Sequence, residues 1–172
     1  MENFKNLNTL IEMVDKPLVI DADALKIIDG DLIKKSNVEI VLTPHAAEFK
    51  ALFSVEIPEI LKQKIETVMK VSKSCDATIL LKGAVDVIAF NDKIKLNSTG
   101  NPGMTVGGTG DCLAGLIGGL MAQGHQAYEA AFLGAYLNGR AGDMAAGEYG
   151  YNFTVTDLLN YLPKAFVDSL IF

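Results

Sequence analysis

The chain has 172 residues, with 21 acidic against 15 basic side chains and a formal net charge of −6. Its length favours a single domain over residues 1–172, and a hydrophobic content of 49% can fill a core, which excludes wholesale disorder. The acidic balance argues against a nucleic-acid-binding surface, but it permits one local anion site built from backbone N–H groups and a lysine.

Membrane and secreted classes are also disfavoured. The longest apolar stretches, Cys112–Ala122 and Ala130–Leu137, are shorter than the roughly 20 residues that a membrane helix needs. Charged residues interrupt the first 16 positions, so no signal-peptide apolar region is predicted there. The two cysteines, Cys75 and Cys112, are too few for a disulfide framework. These observations predict a cytoplasmic protein that does not bind membranes.

Helical periods alternate with short β-branched runs in the first half of the chain. One of these runs ends at Thr43, which Pro44 follows. We interpret Thr43 as a helix N-cap and Pro44 as the first helical residue. In chain order the predicted elements are a helix over Glu2–Val14, a strand over Pro17–Asp21 that leads into a short helix, a strand over Val38–Thr43, a helix ending near Phe53, and a helix over Pro58–Ser72.

The second half adds a hairpin and three longer helices. Its predicted elements are a strand over Ala77–Leu81, a hairpin of Val85–Phe90 and Lys93–Asn97 around Asn91 and Asp92, a loop over Ser98–Gly108, and helices over Thr109–Gln123, Gln126–Ala146 and Thr156–Phe166. Alternating strands and helices with one hairpin predict an α/β fold, in which a mainly parallel sheet has helices on both faces.

Nine of the sixteen glycines lie between Gly100 and Gly124, which points to one specialised loop rather than to scattered turns. Gly107, Gly108 and Gly110 surround the start of the helix at Thr109. Free N–H groups and the positive end of the helix dipole would meet in that loop, so we predict an anion site there. Asp111 could simply stabilise the helix start, or it could accept a proton from an attacking hydroxyl beside a bound phosphate.

Other polar residues follow the predicted strands, where open α/β sheets gather ligands. Asp23 is interpreted as an N-cap of the short helix. His45 and Glu48 are three residues apart in the first helical turn, and alone they indicate an ordinary helix start. Lys82 could meet a nucleotide phosphate or simply face solvent. Two glycines at 115 and 119 are predicted to pack the helix closely on the sheet.

Four segments together resemble the ADP/ATP-dependent NAD(P)H-hydrate dehydratases, a family with a ribokinase-like fold. They occur in the family's order: Asp21-Ala-Asp-Ala-Leu25, Leu42-Thr-Pro-His-Ala-Ala-Glu48, Leu80-Leu-Lys-Gly-Ala84, and Gly100-Asn-Pro-Gly-Met104 with the following Gly107-Gly-Thr-Gly-Asp111. The resemblance spans Pro17 to Pro163. It implies that ADP or ATP phosphorylates the hydroxyl of hydrated NADH or NADPH, and that phosphate then leaves.

The resemblance also implies a role for each matching residue. Asp111 would be the catalytic base and would contact the hydrate together with His45. The transferred phosphoryl group would lie on the anion hole formed by Gly107, Gly108, Thr109 and Gly110. The nucleotide would contact Gly110 and the segment Lys82, Gly83, Ala84, Val85 and Asp86. Glu48 would help to organise Mg²⁺ through water.

The chain departs from the family at Lys26, where asparagine is common, and at Val85 and Asp86, where a second glycine is often found. Family domains are also longer at the N-terminus, so the resemblance implies a ribokinase-like domain without the family's N-terminal strands. The resemblance also implies a homo-oligomer, because family members often assemble, and the exposed edge of a truncated sheet would strengthen that need. Two alternatives stay open: a ribokinase-like kinase of a small alcohol such as a thiamin precursor, and a nucleotide-binding module without turnover.

Overall fold

A five-stranded sheet forms the centre of the protein, whose computed structural model describes residues 2–169, with side chains from Leu7 onward. The strands lie in the order of the chain: β1 (Leu18–Ile20), β2 (Ile40–Leu42), β3 (Thr78–Leu81), β4 (Asp86–Phe90) and β5 (Lys93–Asn97). β1, β2 and β3 are parallel, whereas β4 and β5 pair antiparallel. The mainly parallel sheet with one hairpin is therefore confirmed.

Seven α-helices surround the sheet in the described part of the chain: α1 (Glu2–Met13), α2 (Gly30–Lys35), α3 (Ala46–Phe53), α4 (Leu61–Cys75), α5 (Thr109–Ala122), α6 (Ala127–Tyr149) and α7 (Val155–Ser169). Short 3₁₀ turns occupy Ala22–Lys26, Pro102–Thr105 and Gly150–Asn152. The sequence analysis did not predict α2. This helix has only six residues, too few to show a hydrophobic period.

Side chains alternate along the strands between two apolar clusters, so helices cover both faces of the sheet. On one face Ile40, Leu42 and Ile79 pack with residues of α2, α3 and α4, including Phe49. On the other face Val41 and its neighbours pack with α5 and α6. A third cluster joins α6 to α7. Helices on both faces were predicted, and this is confirmed.

The start of α3 differs from the prediction. The helix begins at Ala46 and its N-cap is His45, so the assignment of Thr43 as N-cap is wrong. Strand pairing continues past β2 instead, because the backbone N–H of Thr43 donates to the Ile20 carbonyl at 3.2 Å. The Thr43 hydroxyl also reaches that carbonyl, at 3.4 Å, and the side chain is fully buried. Because hydrogen bonding between the strands continues to Thr43, the helix N-cap lies two residues later than predicted, at His45.

Two further local predictions are wrong. Asp23 is not an N-cap: Asp21 precedes the 3₁₀ turn, and Asp23 lies inside it, paired with Lys26 at 2.7 Å. The glycines at 115 and 119 do not pack on the sheet, because both are exposed and a Cβ at either would meet no described atom within 4 Å. The helix buries larger residues at a helical period: Leu113, Ile117 and Leu120.

The hairpin confirms the predicted two-residue connection. Phe90 pairs with Lys93, which leaves Asn91 and Asp92 in the turn. Asn91 has φ of 52°, in the left-handed region that asparagine tolerates better than most residues. None of the helices in the described range 2–169 combines the length and apolarity required to cross a membrane.

Candidate active site

The carboxyl ends of β1, β2 and β3 meet at one edge of the sheet because these strands are parallel. Lys82, directly after β3, places its Nζ 2.8 Å from Oδ1 of Asp21, directly after β1. Only 23% and 12% of the two side chains are exposed. Since water screens such a pair only partly, the attraction joins two strand ends that are 61 residues apart in the chain.

His45 and Glu48 form a capping box at the start of α3. The Nδ1 atom of His45 accepts backbone N–H groups of Ala47 at 3.1 Å and Glu48 at 3.2 Å. The Glu48 carboxylate accepts the backbone N–H of His45 at 2.9 Å. An acceptor Nδ1 requires the ring proton to be on Nε2, which lies 3.3 Å from the other carboxylate oxygen of Glu48. The histidine is thus neutral, and half of its side chain is exposed.

Glu48 connects this capping box to the ion pair. Its Oε2 lies 3.8 Å from Nζ of Lys82, and its side chain is only 7% exposed. Lys82 therefore lies between two carboxylates, those of Asp21 and Glu48. With a neutral His45, the formal charge of this cluster is one negative unit. We call these four residues the charge cluster.

The glycine-rich loop adjoins the charge cluster. A Cβ at Gly110, in the first turn of α5, would lie 3.7 Å from both Oδ2 of Asp21 and Nζ of Lys82. Gly108 is the N-cap, with φ of 97°, a conformation that favours glycine. The hydroxyl of Thr109 donates to the carbonyls of Met104 at 2.8 Å and Val106 at 3.1 Å. The helix N-terminus thus offers positive charge to an anion beside Lys82, whose own charge is shared with Asp21 and Glu48.

Asp111 lies in the first turn of α5 and is exposed. No hydrogen bond or ion pair to its carboxylate is found within residues 7–169, and the N-cap of this helix has no side-chain bond. Within the described residues Asp111 therefore makes no capping hydrogen bond, although a carboxylate in the first turn still stabilises the helix start through the dipole. An exposed carboxylate without an internal partner can accept a proton from a ligand. Its neighbour Cys112 is packed against α6 and α7, and burial raises the pKa of its thiol, which disfavours a nucleophilic role.

A cavity of about 220 Å³ opens beside Lys82 and Gly110. The β3–β4 connection forms one wall, the start of α5 forms the floor, and the segment after β5 together with α6 forms the other wall. The lining residues are Lys82, Gly83, Ala84, Asp86, Thr99, Gly100, Asn101, Met104, Thr109, Gly110, Leu113, Ala135, Asn138 and Gly139. The cavity extends from the anion loop between the two walls, so it is longer than a site for a small anion alone would need to be.

A hydrogen-bond network fixes the first wall. Asp86 accepts the backbone N–H of Gly83 and the side-chain amide of Asn97, each at 3.0 Å. The Asn97 amide also donates to the Ala135 carbonyl of α6 at 3.3 Å. Burial raises the pKa of Asp86, and these two hydrogen bonds offset part of that rise. The predicted nucleotide segment is thus held to β5 and α6.

The opposite wall is lined or held in place by residues that the sequence analysis missed. Asp143 of α6 accepts the backbone N–H of Gly100 and the side-chain amide of Asn101, each at 3.1 Å. Asn138 donates to the Thr109 carbonyl at 3.3 Å, and its Oδ1 is buried without a partner among the described residues. A signal was present in the sequence, because glycines at 139 and 142 inside a helix indicate close contacts on one face.

The structure gathers most, not all, of the predicted site residues around one cavity. Lys82, Gly83, Ala84, Asp86, Thr109 and Gly110 line it. Val85 does not line it, and the loop residues Gly107 and Gly108 lie beyond its border. His45 and Glu48 reach it through Lys82, while Asp111 follows Gly110. In the described residues no group of three or more His, Cys, Asp or Glu side chains is placed to hold a metal ion.

Solved structures resemble this fold. The Bacillus subtilis ADP/ATP-dependent NAD(P)H-hydrate dehydratase co-crystallised with ATP/Mg²⁺ superposes with a TM-score of 0.77 at 30% identity, over 90% of this chain and 56% of that one. The hydroxyethylthiazole kinase of Pyrococcus horikoshii gives a TM-score of 0.75 at 20% identity, over 92% of this chain and 65% of that one, a likeness of fold alone. The protein is therefore a ribokinase-like α/β protein, as predicted.

Sequence comparison narrows this class to one family. Residues 1–164 match the family model of the NAD(P)H-hydrate dehydratases, and the chain belongs to that family. It is 41% identical over 153 residues to the bifunctional NAD(P)H-hydrate repair enzyme Nnr of Methanothermobacter thermautotrophicus, which covers 88% of this chain and 29% of that protein. It is 38% identical to the ADP-dependent (S)-NAD(P)H-hydrate dehydratase of Cenarchaeum symbiosum, over 90% of this chain and 54% of that protein. The chain thus spans about a third to a half of the length of these relatives.

Proposed function

We propose that this chain carries the nucleotide-binding and phosphoryl-transfer machinery of an enzyme that dehydrates hydrated NADH or NADPH at the expense of ADP or ATP. The observation that carries the proposal is the position of Gly110 on the border of the cavity, where an added Cβ would lie 3.7 Å from both Nζ of Lys82 and Oδ2 of Asp21. A helix N-terminus, a lysine and an unpaired carboxylate at Asp111 therefore adjoin one site. Membership of the dehydratase family supports the choice of substrate.

In the proposed reaction the hydroxyl oxygen of the hydrate attacks the terminal phosphorus of the nucleotide. One O–P bond forms, the bond to the leaving nucleotide oxygen breaks, and the hydroxyl proton passes to Asp111. Phosphate and one proton then leave from adjacent atoms of the nicotinamide ring, which restores its double bond. Charge on the transferred phosphoryl group is stabilised by backbone N–H groups of Gly107, Gly108, Thr109 and Gly110.

The remaining predicted residues bind the two substrates in this proposal. The nucleotide occupies the cavity against Lys82, Gly83, Ala84 and Asp86, whereas Val85, between them in sequence, lies outside the cavity lining. His45, whose side chain is half exposed at the end of β2, contacts the hydrated ring. Its Nε2–H is available as a neutral donor when a ligand replaces the contact with Glu48.

Mg²⁺ fits the chemistry of these residues. The charge cluster is formally negative by one unit, so a polyphosphate placed beside it requires a compensating cation. Glu48 is buried and already accepts a backbone N–H, which favours contact with the ion through water rather than direct ligation. Mg²⁺ commonly keeps several waters and takes its other ligands from nucleotide phosphates. When bound, the ion would neutralise charge that develops on the phosphate oxygens.

We also propose that the protein works in the cytoplasm as a homo-oligomer. The open side of β1 supports association, because among the described strands β1 pairs with β2 alone. Size-exclusion chromatography with light scattering tests this directly. A single monomer mass at micromolar concentration would contradict the oligomer.

The function is tested by incubating the protein with hydrated NADH, Mg²⁺ and either ADP or ATP. The reduced-nicotinamide absorbance should return, with release of one phosphate per NADH. A stable phosphorylated alcohol would instead identify a kinase of the same fold, and nucleotide binding without any product would identify a module without turnover.

Asp111→Asn tests the proton acceptor in the same assay. Turnover should fall by at least about 100-fold, the range expected for loss of a general base, while ADP affinity stays within about two-fold. Asp31→Asn is the matched control, since Asp31 is also an exposed aspartate in the first turn of a helix. Equal rates for the two variants would remove Asp111 from the mechanism.

A further inference from the structure

The segment after β5 forms one wall of the cavity, and this segment packs on one face of α6. A Cβ at Gly139 would lie 2.1 Å from the hydroxyl oxygen of Thr99 and 2.6 Å from its backbone carbon. A Cβ at Gly142 would lie 2.4 Å from the sulfur of Met104. These distances are shorter than any real contact, so the segment rests directly on the helix backbone.

Asp143, next to this contact, binds the segment with both carboxylate oxygens. One oxygen accepts the backbone N–H of Gly100 and the other accepts the side-chain amide of Asn101, both at 3.1 Å. A carboxylate suits two donors because it has only acceptor positions. Gly100 has φ of 102°, so this bond holds a backbone conformation that other residues rarely adopt.

The connection continues from Asp143 to the anion loop. Asn101 uses its own Oδ1 to accept the backbone N–H of Gly103 at 3.0 Å, which closes the 3₁₀ turn Pro102–Thr105. The carbonyl of Met104 in that turn then accepts the hydroxyl of Thr109 at 2.8 Å. Thr109 opens α5, and Gly110 follows it. An unbroken series of contacts therefore runs from α6 to the N–H groups beside Lys82.

We propose that Asp143 is a positioning residue for the nucleotide. It holds the segment Gly100–Met104 against α6, and through Asn101 and Thr109 it sets the distance between the cavity wall and the anion loop. The inference rests on the proposed function in one respect, namely that the ligand of this cavity is a nucleotide. The carboxylate itself is outside the set of residues lining the cavity, so its effect passes through its partners.

The test exchanges the two side chains. Asp143→Asn keeps the size of the side chain but replaces one acceptor with an N–H group that faces the Asn101 amide. Asn101→Asp alone brings two carboxylates together. The double variant Asp143→Asn/Asn101→Asp restores every bond: the new amide oxygen accepts from Gly100, the new amide donates to the new carboxylate, and that carboxylate still accepts from Gly103.

Each variant is studied by two measurements, hydrogen exchange and calorimetry. In hydrogen exchange, the peptide containing residues 98–108 should exchange faster in both single variants and return to the original rate in the double variant. In calorimetry, ADP should bind about ten-fold more weakly to each single variant, the scale of one lost hydrogen bond to a charged group, and recover to within about two-fold in the double variant. Hydrogen exchange needs no nucleotide, so it also reports on a variant that binds none.

The possible results separate the inference from the proposed function. Unchanged exchange in Asp143→Asn would overturn the inference whatever the affinity. Faster exchange with unchanged ADP affinity would also overturn it, because the segment would then be held without consequence for the nucleotide. A double variant as impaired as the singles would do the same. Failure of the unsubstituted protein to bind ADP would contradict the proposed function and with it the role of Asp143.

Discussion

The two faces of the sheet are packed by different means. The face towards α2, α3 and α4, which we call the aliphatic face, is filled by branched and aromatic side chains such as Ile79 and Phe49. The face towards α6, which we call the alanine face, receives mainly small residues from that helix: Ala127, Ala130, Ala131 and Ala135. Small residues let backbone approach backbone, and the cavity wall lies on the continuation of this contact along α6. Interlocking side chains fill the aliphatic face, whereas the alanine face combines larger side chains from α5 with the close approach of α6.

The largest effect is expected on the aliphatic face. Phe49 is fully buried, with its ring centroid 4.9 Å from that of Phe53. Phe49→Ala should lower the free energy of unfolding by about 3–5 kcal/mol, because a cavity replaces a close-packed ring. Urea denaturation followed by circular dichroism measures this change. Leu61→Ala, at a position 40% exposed in α4 on the same side of the sheet, is the control and should cost far less. Similar losses for the two variants would show that burial does not govern stability on this face.

The next largest effect is expected from adding a single methyl group to α6 where the helix continues past the alanine face to the cavity wall. Gly139→Ala places a Cβ within 2.7 Å of backbone atoms of Thr99, which cannot move as a flexible side chain would. We expect a loss of about 3 kcal/mol in unfolding free energy, at the upper end for an overpacked site, together with weaker ADP binding. Denaturation and calorimetry on the same sample measure both effects. Unchanged ADP affinity would show that the close approach shapes the core alone.

Alkaline pH should weaken the aliphatic face through Cys75. Burial raises the pKa of this thiol from 9.0 to about 11, so the folded state favours the protonated form. Its contribution to stability is therefore complete below pH 9 and is lost as the pH rises towards 11. At about pH 10.5 the loss should be roughly 2 kcal/mol. The measurement compares unfolding free energies of the original protein and Cys75→Ala at both ends of this range. Parallel pH curves for the two proteins would contradict the assignment.

The smallest effect should have the opposite sign. Gly147 lies on the exposed side of α6, and a Cβ there would meet no described atom within 4 Å. Gly147→Ala should raise the free energy of unfolding by about 0.5–1 kcal/mol, because alanine loses less backbone entropy in a helix. Thermal denaturation measures the gain. A destabilised variant would indicate that the glycines of α6 share a role beyond contact with the wall segment.

The sequence predicted the fold more fully than it predicted the site. The apolar runs of the first four strands are distinctive, and the Asn91-Asp92 turn marks the start of β5, so all five strands were predicted within a few residues of their bounds. The glycine-rich loop was also evident, because its composition differs from that of any ordinary turn. The short helix α2 was missed because six residues are too few to show a hydrophobic period. The first residue of α3 was misplaced because the bond that keeps Thr43 paired with β1 comes from Ile20, far away in the chain.

Contacts between side chains that are far apart in the chain could not be predicted from the sequence. Lys82 could be placed at the end of a strand, but nothing local indicates Asp21 as its partner rather than Asp23, two residues away. The pairing of Asp143 with Asn101 joins positions 42 residues apart and depends on the approach of α6 to the loop. Contacts of this kind arise only after the helices have packed, whereas caps and turns depend on neighbours in sequence.

The polar groups at the strand ends have a consequence for how the sheet is aligned. β2 is Ile-Val-Leu with every residue buried, so a one-residue slip against its neighbours would still place apolar side chains on both faces. Hydrophobic pattern alone therefore leaves the alignment open. What penalises a slip is the bond from Thr43 to the Ile20 carbonyl, the bond from the Lys82 backbone to the Pro44 carbonyl, and the pairing of Lys82 with Asp21. The polar residues beside the anion loop thus also fix the register of the parallel strands.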